Sequence, residues 1–160
     1  MRYARLVLAT LLFWPIVSTV KGSPNVQYVI ADIQAKLYYS HSGRFSANIV
    51  NNPKIVLWNV IIGEGNAPGG ASETTLIDIR VSGAPKSFSG QLKLHVTART
   101  KDQVLLDKRA SIGVMNTSGH YYAAFLINDT GCTPIDVIAE LVGPGAGPPV
   151  KISLPFQCGE

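Results

Sequence analysis

The chain has 160 residues and carries 14 Lys and Arg against 10 Asp and Glu, with two cysteines and 46% hydrophobic side chains. Three of the cations, Arg2, Arg5 and Lys21, fall in an apolar opening that holds no acid, so the remainder has 11 basic residues against 10 acidic ones. That nearly neutral remainder contains no basic run longer than Lys108-Arg109, which excludes nucleic acid as an expected partner.

The opening has the three parts of a secretory leader: Arg2 and Arg5, then the apolar stretch Leu6 to Val17, then small residues around Gly22 and Ser23. A membrane span needs roughly 20 apolar residues, and Pro15, Ser18 and Lys21 interrupt the run first. The expectation is a signal peptide over 1–22, no stable membrane anchor after cleavage, and one domain over 23–160 that is secreted or periplasmic.

Beyond the leader the pattern is that of strands, with no convincing helix. Val29 to Tyr39 alternates as a long first strand, and Ser42-Gly43 turns into a second from Arg44 to Val50. Ile55 to Ile62 is apolar on both faces except at Asn59, which predicts a central strand, or one whose outer face meets a partner or a second copy; Trp58 on it is a candidate core plug. Gly63 to Glu73 is an eleven-residue connection, and Thr74 to Val81 is the next strand. Leu92 to Arg99 and Val104 to Ile112 flank the turn Lys101-Asp102; Tyr121 to Asn128 follows.

Ile135 to Val142 and Val150 to Cys158 alternate on either side of Gly143-Pro144-Gly145-Ala146-Gly147-Pro148-Pro149, which cannot continue a strand. Folding this hairpin about Ala146 sets Pro134 opposite Cys158 and leaves Cys132 two positions out of register. In an oxidising compartment the two thiols should form a disulfide, Cys132 to Cys158, contributing about 3 to 4 kcal/mol. Eight or nine short strands predict an all-β, antiparallel two-sheet β-sandwich, immunoglobulin-like or jelly-roll-like, with a closed barrel as second choice. No cysteine precedes Trp58, so the bridge cannot join the sheets as in antibodies.

Catalytic spacing is absent. No serine lies in G-x-S-x-G, and Ser118-Gly119-His120 places its serine and histidine too close for an activated pair. Gly63 to Gly70 resembles a pyrophosphate loop, but a strand follows it where a helix is required. The connection's Glu64, Asn66 and Glu73 offer oxygen ligands for Ca²⁺ or, as an exposed loop, a contact for a partner. Tyr38-Tyr39 and Tyr121-Tyr122 each place a ring on both faces of a strand, making Tyr39 and Tyr122 candidate aromatic contacts for protein or carbohydrate. Asn116 and Asn128 begin N-x-[ST] triplets. The expected function is non-catalytic binding to another macromolecule, or structural support, without a cofactor; the alternative is a metal-binding protein or metal-dependent enzyme using His41, His95 and His120.

Overall fold

The computed structural model describes residues 27–159; the signal peptide expected over 1–22 lies outside them. Strands β1 (Val29–Tyr39), β2 (Arg44–Phe45), β3 (Thr74–Ser82), β4 (Lys93–Arg99), β5 (Val104–Ser111), β6 (His120–Asn128), β7 (Ile135–Val142) and β8 (Val150–Leu154) form two antiparallel sheets, ordered β2-β1-β3-β6 and β5-β4-β7-β8.

Period-two alternation decides which side of each strand is buried. In β3, Thr75, Ile77, Ile79 and Val81 are buried, and in β4 Leu94, Val96 and Ala98 are; β7 buries Ile135, Val137, Ala139 and Leu141. Strand β1 buries Ile30 on the same side as Ile33, Ala35, Leu37 and Tyr39 only because a bulge at Ala31 shifts its register against β3. The inward residues of both sheets join in one apolar core, with Phe156 and Met115 among the fully enclosed side chains.

Among the described residues no ladder joins the two sheets, so these eight strands do not form a closed barrel. Leaving out the two-residue β2, the orders β1-β3-β6 and β5-β4-β7-β8 follow the A-B-E and C′-C-F-G strands of immunoglobulin-like sandwiches. Such an architecture hosts many unrelated functions and names none.

Five expectations need correction. Ile55 to Ile62 is not a strand: it makes one bridge, Trp58 with Gln157, and then a single 3₁₀ turn over Val60–Ile62. Asn59 (φ 45°) breaks the extended path by entering the left-handed region, which a short amide side chain tolerates. Trp58 is 41% exposed and plugs no core. The second strand stops at Phe45, after which the Ser46 and Ile49 amides still bond to β1 and side chains take its opposing donors: Ser46 Oγ accepts from the Leu37 amide at 2.9 Å and Asn48 Oδ1 from that of Ala35 at 3.1 Å.

The last strand ends at Leu154 because Pro155 has no amide proton, and Phe156 then turns into the core. The hairpin does not fold about Ala146. Ile135 pairs with Leu154, three positions from that expectation, because the loop is asymmetric and Ala146 instead bridges Tyr28. The observed register leaves Cys132 one position from Cys158, and the disulfide joins them with 4.7 Å between the Cα atoms.

Candidate functional site

Of the four sheet edges, three are guarded in ways that block pairing with another chain. Strand β5 carries Asp107, Lys108 and Arg109 in succession. Strand β8 contains Lys151, is bounded by Pro149 and Pro155, and is followed by a tail whose Gln157 exchanges backbone hydrogen bonds with Leu57 and Asn59. Strand β2 is two residues long, and the chain after it continues along β1 through Ser46 and Ile49.

Among the described residues strand β6 has no such protection. It pairs only with β3, runs nine residues from His120 to Asn128, and contains no Asp, Glu, Lys, Arg or Pro. Its outer face presents Tyr122, Ala124 and Leu126, with the two large side chains 55% and 53% exposed. Even the inward Tyr121, Ala123 and Phe125 remain only half-buried. His120, at the start, shares a 3.0 Å hydrogen bond with Ser82 Oγ through Nδ1 and meets the Tyr122 ring edge-on.

A cleft of about 360 Å³ opens at the far end of the same sheet, where the turn between β1 and β2 faces the Pro68-Gly69 segment. Tyr39, His41, Arg44, Phe45, Pro68 and Gly69 line it. Tyr39 and Arg44 are direct partners in the β1–β2 register, so their side chains leave the same face of the sheet. The Tyr39 ring occupies the space where a side chain on Gly69 would stand. Its phenol is pushed up by burial, an effect the adjacent Gly69 backbone partly offsets without completing a hydrogen bond.

Tyr39 is thus not the surface contact expected of it. It is 3% exposed, because it shares the inward parity of Ala35 and Leu37, and its neighbour Tyr38 takes the outer face against Phe45. Tyr122 does face outward.

The three histidines stand apart. His41 lies on the turn after β1, and His120 pairs with Ser82 at the other end of β3, a strand length of roughly 27 Å away. His95 belongs to the second sheet. Among the described residues no group of three or more His, Cys, Asp or Glu is arranged to hold a metal ion.

His95 instead bridges three strands. Its Nδ1 lies 2.7 Å from Glu140 Oε1 on β7 and its Nε2 lies 2.8 Å from Asp107 Oδ1 on β5. The bond to Glu140, and after it the bond to Asp107, raises the imidazole's pKa above its ordinary value. With both nitrogens bonded, the ring serves as a cross-strand clasp and is left with no lone pair for a ligand.

The Gly63 to Glu73 connection is tied to the protein rather than open. Glu64 Oε2 accepts from Asn59 Nδ2 at 2.6 Å, and Asn66 Oδ1 accepts from the Val56 amide at 2.7 Å. Glu73 contributes its backbone carbonyl to the Thr130 amide, while its side chain stays exposed. Glu64 and Asn66 are therefore occupied as internal braces, and the three residues do not converge on a cation. A larger cavity, about 660 Å³, lies between Arg99–Asp102 and Thr133–Asp136. Its Asp136 already holds Lys151 and Ser153, which keep that carboxyl below its ordinary pKa.

Fold and surface together define a disulfide-clasped, all-β protein of two antiparallel four-stranded sheets with one unguarded edge. No protein-family model matches the chain, and no curated protein resembles it in sequence.

Proposed function

We propose that the protein is an exported, non-catalytic binding module that accepts an extended segment of a partner protein along the edge of β6. The observation that carries this reading is the uncharged nine-residue edge, in a molecule whose other three edges are guarded. Strand addition draws its affinity from main-chain hydrogen bonds and its selectivity from pockets for alternate side chains. On the exposed face, small Ala124 stands between the larger Tyr122 and Leu126, an apolar row suited to an apolar side chain on the incoming strand. Export rests on the leader sequence and agrees with the disulfide, which suits an oxidising compartment.

The test places a photo-crosslinking amino acid at Ala124 and, as a control, at Lys108 on the guarded β5 edge, with the protein in its native compartment. Adducts to a second protein from position 124 alone, abolished by Leu126→Lys, support the proposal. Adducts to a second copy of the chain would reassign the edge to self-association. No adduct from position 124, or equal yields from both positions, refutes strand addition.

A further inference from the structure

We propose that the cleft at the β1–β2 turn is a second, independent binding site, one that takes the carboxylate of a small organic acid. Three observations converge on that chemistry.

The first is Tyr39. Its side chain is buried, it lines the cleft, and its hydroxyl has no hydrogen-bond partner among the described residues. A buried hydroxyl without an acceptor is unfavourable and uncommon in native proteins, and an arriving ligand oxygen would satisfy it.

The second is charge. Arg44 stands directly across from Tyr39 and forms no ion pair among the described residues, and no Asp or Glu lines the cleft. A guanidinium lining the same cleft as an unpartnered hydroxyl brings fixed positive charge and two kinds of donor with no carboxylate to oppose them, which suits an anionic oxygen pair and disfavours a cation. His41 adds an imidazole whose ring rests near Gly70 and 6.2 Å from the Tyr39 ring centre.

The third is size and lining. About 360 Å³ lies at the lower end of the range for ligand sites, and Phe45, Pro68 and the Tyr39 ring provide apolar walls for the carbon body. The Tyr39 hydroxyl is closed to solvent, so a ligand oxygen meets it only with an outward shift of the Pro68-Gly69 turn. The backbone amides of Gly69 and Gly70 are therefore the reporters of binding.

Two classes of acid share this chemistry, an apolar acid and a sugar acid, and the experiment separates them. Benzoate, glucuronate and neutral glucose are each titrated into isotope-labelled protein while amide shifts are followed. Saturable shifts at Arg44, Gly69 and Gly70 with benzoate, glucuronate or both, and none with glucose, support the site; the more potent acid identifies the class. Arg44→Gln should weaken that binding about tenfold, the loss of one charge-assisted hydrogen bond. Tyr39→Phe should also weaken it while leaving the melting temperature unchanged or higher, since the hydroxyl it removes is unpaired. No saturable shift with either acid up to about 50 mM, a range that would detect even weak millimolar affinity, or shifts that survive Arg44→Gln unaltered, overturns the proposal. A Tyr39→Phe variant that is markedly less stable overturns the claim that the hydroxyl lacks a partner. The Leu126→Lys variant leaves this binding intact, so the β6 reading and this one fail separately.

Discussion

The bridge between Cys132 and Cys158 should contribute a large share of the domain's stability, in an amount the chain's geometry fixes. The two residues are 26 apart in sequence. Closing a loop of that length in the unfolded chain removes entropy worth about 3.5 kcal/mol at 25 °C. For a domain of roughly 130 residues, with an unfolding entropy near 2.1 cal/mol/K per residue, this corresponds to a drop of about 13 °C in Tm. The Cys132→Ser, Cys158→Ser double variant, melted by circular dichroism beside the oxidised wild type, measures it directly. Its sheet signal at 25 °C should persist, because Phe156 remains in the core and Gln157 and Gly159 keep their hydrogen bonds to Leu57 and Asn59. A shift below about 3 °C, under 1 kcal/mol on the same scale, would show that those bonds already hold the tail and that the loop-entropy reasoning is wrong. A variant unfolded at 25 °C would refute it from the other side.

Phe156→Ala should cost about 3 to 5 kcal/mol in urea unfolding, since the ring is fully enclosed, whereas Phe88→Ala, at a position 61% exposed, should stay within about 0.5 kcal/mol. Gly65→Ala should destabilise by more than about 1 kcal/mol in the same assay. Its φ is 78°, and an added Cβ would stand 2.8 Å from the Val56 carbonyl oxygen, at the turn that Asn66 braces. The His95 clasp should make stability depend on pH in a definite direction. Its folded pKa is raised above the ordinary 6.5, so its contribution is fully present below that value and is lost as pH rises through the raised one. The stability gap between wild type and His95→Gln should narrow from mildly acidic to alkaline pH; a gap that widens on that path would mean the ring is neutral in the clasp.

Strands with one wet face were legible in the sequence. Strands β3 to β7 begin and end within a residue or so of where alternation places them, because burial of one face imposes a period of two. The same signal contained the clasp. His95 and Asp107 flank the Lys101-Asp102 turn almost symmetrically, and His95 falls opposite Glu140 once β4 and β7 pair. The segment 46–73 was opaque for a physical reason. It is held by individual side-chain acceptors, Ser46, Asn48, Asn59 and Asn66, which bond the amides of Leu37, Ala35, Gly159 and Val56, and such bonds leave no periodic trace. Ile55 to Ile62 looked apolar on both faces because Leu57 and Val60 are buried while Val56, Trp58 and Ile62 lie at the surface, a mixture that a strand cannot produce and a kinked loop can.

That irregular segment also explains why the two candidate surfaces lie at opposite edges of one sheet. The chain beyond β2 seals the β1 side by lending side-chain acceptors to amides that would otherwise be open, and its later part supplies Pro68 and Gly69 as a wall of the Tyr39 cleft. It also pairs with the tail that the disulfide fastens, so sealing this side commits the insertion, the tail and the bridge together. Among the described residues nothing comparable reaches β6. An edge left bare by neglect would gather charge at little cost, because Tyr122, Ala124 and Leu126 point away from the core and a lysine at any of them would displace no buried contact. Keeping all three uncharged over nine residues is therefore the feature of this fold that core packing does not explain and that the proposed pairing with another strand would account for.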